Sequence, residues 1–310
     1  MVTKTTPSAK AAQDKTRHLQ YFRERGRESL VELQREIGAR QFKDLAAAIN
    51  KAVQESARHV IASLNAAAKA EKWSQTDTSG AILAATYSAT VAMLELRNEV
   101  WPYEYMAFSR RIGELWEGFI RTAFDFAPNG LTHFVPPLFS DVRKSLKQEI
   151  GEYINQLQLK AAQKRELLEY YEKVWSLVDS GEINLELDLH FEVRGQKINV
   201  DLKSGFGSNE KGNTNRLLMV ATIYRNLEAD YRCVLLVRAP EDQNNHYFRT
   251  LRDSTVWEAY CGTDAYAQVK EFTGFDLQSW VVSNIDWHAD LAPATLKHFK
   301  DSDLLSYLAW

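Results

Sequence analysis

Three charged residues within a short stretch of predicted β structure carry the most chemical information in this chain. Asp188 falls on one predicted strand, and Asp201 and Lys203 fall on the next. A tight turn between the two strands would bring these side chains together on one face of a hairpin. Carboxylates are ligands for a hard divalent cation, and an ammonium group beside them stabilises negative charge. The three residues therefore predict a site for a metal ion and a scissile phosphate.

The hairpin is predicted from the alternation of apolar and polar residues. This alternation has a period of two over residues 185–193 and resumes over 198–203, which is typical of paired strands. A two-residue loop at Gly195-Gln196 places glycine where a type II′ turn requires it. Opposed residues in such a pair lie about 5 Å apart. The resulting register pairs Val193 with Ile198, His190 with Asp201, and Asp188 with Lys203.

A solvated hairpin face is the alternative interpretation, because any half-exposed sheet shows polar alternation. The segment that follows the hairpin favours a site instead. Residues 204–216 are polar and rich in glycine, and side chains of this kind contact phosphates and base edges. A helix N-terminus near 213–215 could also hold a phosphate. The candidates for DNA contact are Ser208, Asn209, Lys211, Asn213, Asn215 and Arg216.

A nucleotide-binding loop is excluded for the same segment. Residues 207–214 almost fit the phosphate-binding loop of nucleotide hydrolases, but Asn213 stands where that loop requires lysine. Without the lysine no side chain reaches the terminal phosphates.

The pattern of Asp188, a gap, and then Asp201-Leu202-Lys203 resembles the PD-(D/E)XK nuclease superfamily, and type II restriction endonucleases in particular. The resemblance covers roughly residues 105–240. Leu187 precedes Asp188 where the family motif has proline. The resemblance implies that Asp188 and Asp201 bind Mg²⁺, and that Lys203 orients the attacking water or stabilises the developing negative charge.

The family often adds a glutamate from a helix upstream of the hairpin. Residues 105–120 carry an apolar stripe at helical spacing. The spacing Gly113-x-x-x-Glu117 is similar to the family's helix pattern, which implies a catalytic role for Glu117, with Glu114 as a substitute. The alternative is an ordinary surface ion pair, because Glu117 and Arg121 stand four residues apart.

The resemblance also implies a fold and a function. The expected fold is α/β (α+β): a restriction-endonuclease-like core with a mixed central sheet flanked by helices, plus a large helical N-terminal region. The expected function is that of a type II restriction endonuclease of a restriction-modification system, with Mg²⁺ as cofactor and a short site in double-stranded DNA as substrate. A homodimer is expected, because a two-fold protein reads a palindromic site. The alternatives are a structure-specific or repair nuclease of the same superfamily, and a non-enzymatic helical adaptor.

Composition sets wider limits. The chain has 310 residues and a net charge of −3, so no overall basic field indicates a nucleic-acid partner. Its two cysteines form neither a disulfide framework nor a zinc motif. Cys233 stands in an apolar run and is expected to be buried. No secretory signal is visible and no apolar run is expected to reach the length of a membrane span, so a cytoplasmic protein without a membrane partner is predicted.

Three regions are predicted along the chain. Residues 1–14 form a flexible N-terminus, residues 15–100 form a helical region with possible dimerisation, and residues 101–310 form the catalytic domain. Five early arginines could clamp a DNA backbone. Alternatively they line a solvated helix face, which the interleaved acidic residues favour. They are Arg17, Arg23, Arg25, Arg27 and Arg35. Helices are predicted over about 16–72, 81–100, 104–125, 141–178, 213–228, 254–272 and 293–309, with a turn over 73–80, a buried strand over 232–238 and an irregular stretch at 286–288.

Overall fold

The structure is a computed structural model that describes residues 8–178, 183–207, 210–227 and 231–308. Most of the described chain is helical. The helices are α1 (Ala9–Ala12), α2 (Lys15–Leu33), α3 (Phe42–Glu71), α4 (Gln75–Val100), α5 (Tyr105–Asp125), α6 (Phe139–Gln156), α7 (Ala161–Val178), α8 (Lys211–Arg225), α9 (His246–Arg252), α10 (Thr263–Thr273), α11 (Leu277–Asn284), α12 (Trp287–Asp290) and α13 (Pro293–Asp301). The strands are β1 (Thr132–His133), β2 (Leu189–Val193), β3 (Gln196–Lys203), β4 (Tyr231–Val237) and β5 (Glu258–Cys261).

A mixed sheet lies at the centre, and its strands are ordered β1-β2-β3-β4-β5. The first three are antiparallel, whereas β3, β4 and β5 run parallel. Helix α8 connects β3 to β4, as a parallel pair requires. The expected mixed α and β architecture, with a central sheet flanked by helices, is therefore confirmed. Cys233 on β4 is buried, as expected.

The hairpin is present, but its predicted register is wrong by two residues. The turn lies at Arg194-Gly195, and both residues have positive φ, 53° and 78°, as a type I′ turn requires. His190 therefore pairs with Asn199 rather than with Asp201. A shift of two keeps every side chain on its original face, so the apolar residues of both strands still face the core.

The N-terminal helices pack against each other and share a core with the sheet. The apolar stripe of α2 and α3 is buried against α4, including Leu30, Ile49 and Val53. The dimer interface predicted in residues 15–100 was motivated by this stripe, which is buried within the chain itself. Tyr87 of α4 belongs to the same core cluster as Trp116 of α5.

Helix α4 contradicts the expectation that no apolar run reaches the length of a membrane span. Its most apolar window reaches a mean hydropathy of 1.3, so its length and composition would allow it to cross a membrane. In the structure, 89% of that window is buried. The predicted turn over 73–80 is also wrong in part, because α4 begins directly after Ser74, whose hydroxyl accepts a hydrogen bond from the Asp77 amide and caps the helix.

The early arginines mostly pair with carboxylates of this chain. Arg23 bonds Glu95 on α4, and two of the other four form the pairs Arg25–Glu28 and Arg27–Glu99. These contacts favour a solvated helix face over a DNA clamp. Helix α1 lies inside the range predicted to be flexible, and residues 1–7 lie outside the described part of the chain.

Several helix boundaries differ from the prediction. The helix predicted over 141–178 is two helices, and the break at 157–160 contains neither glycine nor proline to signal it. Strands β1 and β5 and helices α9 and α11 were missed. Strand β5 falls inside a predicted helix; its pairing with β4 overrides the local preference. Helix α12 occupies the stretch predicted to be irregular, where the Asp286 carboxylate accepts amide hydrogen bonds at its first turn.

Candidate active site

Asp201 is the most deeply buried ionisable group of the predicted site. It lies on β3 with 2% of its surface exposed. Its Oδ2 atom is 3.3 Å from Lys203 Nζ, and its Oδ1 atom is 3.7 Å from Arg216 Nη2. Burial raises the pKa of Asp201 to about 6; the Asp188 charge adds to this rise, while Lys203 and Arg216 oppose it. The carboxylate therefore carries a desolvation cost that its cationic neighbours only partly offset.

Asp188 was predicted to lie on a strand, but it lies at a bend just before β2. Its Oδ2 atom accepts a 2.7 Å hydrogen bond from the Leu202 amide of β3. Its Oδ1 atom and its carbonyl oxygen lie 3.1 Å and 2.6 Å from the guanidinium of Arg121 on α5. The carboxylate is thus fixed from both sides, and Asp188 lines the same cavity as Asp201.

His190 holds the bend that presents Asp188. It is buried, and its Nδ1 atom lies 2.8 Å from the Asn199 amide oxygen. Its Nε2 atom accepts a 2.9 Å hydrogen bond from the Leu187 amide. These partners require a neutral ring with its proton on Nδ1, and burial lowers the pKa of His190 in agreement. The predicted register placed His190 opposite Asp201; in the structure it is a positioning residue for Asp188.

Replacing His190 with alanine should therefore destabilise the protein and displace Asp188. The change leaves the buried Leu187 amide and the Asn199 side chain without their partner, at a cost of about 1–3 kcal/mol. Urea unfolding measures this loss. The control is the exposed His133 replaced by alanine, which should unfold like the wild type. Equal stability of the two variants would show that the His190 contacts do not hold the bend.

Helix α5 brings Glu117 beside the end of β3. The Glu117 carboxylate accepts 3.0 Å and 2.9 Å hydrogen bonds from Arg121, so the predicted ion pair is present. Because Arg121 also contacts Asp188, this ion pair belongs to the site. Glu114 pairs instead with two arginines of its own helix, Arg110 and Arg111.

A cleft of about 290 Å³ lies between α5 and the end of β3. Glu114, Glu117, Lys203 and Ser204 line it. A Cβ atom at Gly113 would lie 3.3 Å from Cβ of Ser204. The missing side chain at Gly113 therefore allows α5 to approach β3 closely enough to place Glu117 near Lys203.

The predicted DNA-contacting residues lie on the first turns of α8 where the structure describes them. Ser208 and Asn209 lie outside the described residues. Lys211 and Asn215 are exposed, and the Asn213 side chain bonds the Glu210 carboxylate at 3.1 Å. Helix α8 starts two residues earlier than predicted, so the polar loop is shorter. Contact with DNA stays a prediction for all six residues.

Two arginines contribute to the site in a way that the sequence did not predict. Arg121 was considered only as a surface ion-pair partner, and Arg216 only as a DNA contact. Arg121 lies 67 positions before Asp188, and no local spacing signals their contact. Both arginines line one polar cavity of about 260 Å³ together with Asp188 and Asp201.

The residues of this cavity fit a magnesium ion held by few protein ligands. Within the described ranges, no group of three or more His, Cys, Asp or Glu side chains is placed to hold a metal. Mg²⁺ usually takes one or two carboxylates and completes its shell with water and phosphate oxygens. Asp188 and Asp201 provide such a pair. The buried Oδ2 atom of Asp201 forms an ion pair with Lys203 at 3.3 Å but has no hydrogen-bond partner among the described residues, so it retains a lone pair for a cation.

Comparison with protein-family models, with curated proteins and with solved structures found no match, so the site is interpreted from its own geometry.

Proposed function

We propose that this protein is a Mg²⁺-dependent nuclease that hydrolyses phosphodiester bonds in double-stranded DNA. The observation that carries the proposal is the convergence of Asp188, buried Asp201 and Lys203 at the end of β3. Burying a carboxylate costs stability unless the charge is compensated. A non-enzymatic helical adaptor has no use for a buried carboxylate, whereas a metal site requires one.

The residues have distinct roles in this proposal. Asp188 and Asp201 would hold Mg²⁺, which, when bound, polarises the phosphate and lowers the pKa of a bound water. The Lys203 ammonium, 3.3 Å from Asp201 Oδ2, is close enough to stabilise charge on an oxygen held beside that carboxylate. Glu117 borders the cleft that contains Lys203 and can orient a water there, whereas Asp188 and Asp201 line the neighbouring polar cavity.

The order of elements supports a PD-(D/E)XK-like core. A β-hairpin that carries Asp201, with Asp188 at the bend just before it, is followed by a crossover helix and a parallel strand, β2-β3-α8-β4. The preceding helix α5 supplies Glu117. Cations are concentrated around the carboxylates despite the net charge of −3. Arg121, Lys203 and Arg216 can therefore attract a phosphate backbone locally.

Within this class we propose a type II restriction endonuclease that acts as a homodimer in the cytoplasm. The alternative within the class is a structure-specific or repair nuclease. Incubation of a long, sequence-diverse DNA with Mg²⁺ or with EDTA separates them. Discrete Mg²⁺-dependent fragments indicate a restriction enzyme, and a Mg²⁺-dependent smear indicates the alternative. A folded protein that leaves several DNA forms intact with Mg²⁺ and Mn²⁺ would refute the nuclease and favour the adaptor.

Replacing Arg121 with glutamine should strengthen metal binding. The guanidinium lies against Asp188 and Glu117, so its charge opposes a cation at the same carboxylates. Removing one nearby unit charge is worth about 1 kcal/mol, or about fivefold in the Kd for Mn²⁺. Calorimetric titration of Mn²⁺ into the DNA-free protein measures this. Arg121→Lys keeps the charge and should bind Mn²⁺ like the wild type; weaker binding by the glutamine variant would show that Arg121 supports the metal site.

A further inference from the structure

A second, larger cleft adjoins the candidate active site. Its volume is about 770 Å³, and it lies where the chain leaves the carboxyl ends of β3, β4 and β5. Ligands of sheets with parallel strands bind at this end. Ser109 and Ser204 line both this cleft and the smaller one that contains Lys203 and Glu117. A strand bound at Lys203 can therefore continue directly into the larger cleft.

The lining of this cleft is aromatic and polar. Tyr105 at the start of α5 is half exposed, and its ring centroid lies 5.0 Å from that of Tyr307. Tyr266 is buried, and its hydroxyl oxygen accepts a hydrogen bond from Trp116 Nε1. Burial raises the pKa of Tyr266 to about 12, so the hydroxyl keeps its proton and can donate a hydrogen bond to a ligand. The exposed amide of Gln278 lies at the same cleft.

These groups match the chemistry of a nucleobase. A base has an aromatic face, which stacks on tyrosine, and a polar edge, which hydrogen-bonds amides and hydroxyls. The volume falls within the range of roughly 300–1,000 Å³ that is typical of small-molecule sites. A base inside a duplex cannot reach such a cleft, because its faces are stacked on neighbouring bases.

We propose that this cleft receives an unpaired or extruded nucleobase of the DNA strand bound at Lys203, and that the base stacks on Tyr105. This inference rests on the proposed nuclease function, which supplies the strand. It adds that the nuclease captures one unpaired nucleotide beside the scissile phosphate. Sequence or structure preference then depends partly on the groups around Tyr105 and Gln278.

A short single-stranded oligonucleotide with one 2-aminopurine tests the proposal, in EDTA so that no cleavage occurs. Stacking on Tyr105 should quench the 2-aminopurine fluorescence on binding. Tyr105→Ala should lose the quenching and bind about tenfold more weakly, since it removes the aromatic face on which the base stacks. Tyr105→Phe keeps an aromatic face and should behave like the wild type. The matched control is Tyr153→Ala, at an exposed tyrosine on α6.

Equal affinity and quenching of wild type and Tyr105→Ala would overturn the proposal. Competition by free deoxyadenosine monophosphate distinguishes a strand from a free nucleotide. If the free nucleotide displaces the oligonucleotide at equal concentration, the strand is not the ligand. Cleavage is measured separately. Binding through Tyr105 without any cleavage would refute only the nuclease, and cleavage with Tyr105-independent binding would refute only the nucleobase site.

Discussion

Asp201→Asn should abolish DNA cleavage while making the metal-free protein more stable. Asparagine keeps the shape of the side chain but has no charge to hold a divalent cation. Removing one preorganised electrostatic partner of a transition state costs about 10²–10³-fold in rate, and we expect a loss of at least this size. The stability gain follows from burial, because Asp201 is 2% exposed and its Oδ2 atom has no hydrogen-bond partner among the described residues.

The size and sign of the stability change follow from the raised pKa. The pKa of Asp201 rises from 3.8 to about 6 on folding, so the folded protein holds this proton more tightly than the unfolded chain does. The stability contributed by protonated Asp201 is complete below pH of about 4 and is lost as pH rises through about 6. A rise of about two pKa units corresponds to about 3 kcal/mol in the free energy of unfolding.

Urea unfolding in EDTA across this pH range measures the effect. As pH rises, the free energy of unfolding of the wild type should fall by about 3 kcal/mol, whereas that of Asp201→Asn should not show this fall. Asp44→Asn, at an exposed aspartate of α3, should match the wild type in both cleavage and stability. An Asp201→Asn protein that is less stable than the wild type at neutral pH would show that the ionised carboxylate is structural rather than a ligand held ready for a cation.

Lys203→Ala should slow cleavage by about 10²–10³-fold without weakening Mn²⁺ binding. The ammonium is 3.3 Å from Asp201 Oδ2. There it can stabilise negative charge on the phosphate, but its own positive charge opposes the binding of a metal ion. Because Lys203 lowers the pKa of Asp201, its removal should raise that pKa further. The pH at which cleavage reaches half its maximum should therefore move upward.

Single-turnover cleavage measured against pH tests this prediction, with the protein in saturating excess over the DNA and with Mn²⁺ in excess. The comparison variant is Lys211→Ala, at an exposed lysine on the first turn of α8. It should weaken the Kd for DNA in a salt-dependent manner and leave the single-turnover rate unchanged. If Lys203→Ala weakened only DNA binding, as Lys211→Ala should, Lys203 would be a backbone contact and would have no part in the chemistry.

The hairpin could be predicted from sequence because alternation constrains which face each residue occupies. Its register could not, because two turns fit the same residues. Arg194 adopts a φ of 53°, which is uncommon for a residue other than glycine. Nothing in the local sequence shows that Arg194-Gly195 forms the turn in preference to Gly195-Gln196.

The geometry around Asp188 depends on contacts between residues that are distant along the chain. The bend before β2 is held by His190 and Asn199, and the carboxylate is fixed by Arg121 from α5. A pattern with a period of two predicts a continuous strand there. The amphipathic helix α5 was located correctly because its apolar stripe is strong, but its contact with the hairpin is a tertiary property. Strands β1 and β5 are two and four residues long, too short for a periodic signal.

Single-turnover cleavage of DNA by the wild type and Asp201→Asn side by side, each with Mg²⁺ and with EDTA, tests the metal-dependent nuclease site most directly. We predict cleavage by the wild type with Mg²⁺ only, and none by Asp201→Asn, which should still be folded and bind DNA. Cleavage by Asp201→Asn at the wild-type rate, or undiminished cleavage in EDTA, would contradict a metal site built on Asp188 and Asp201.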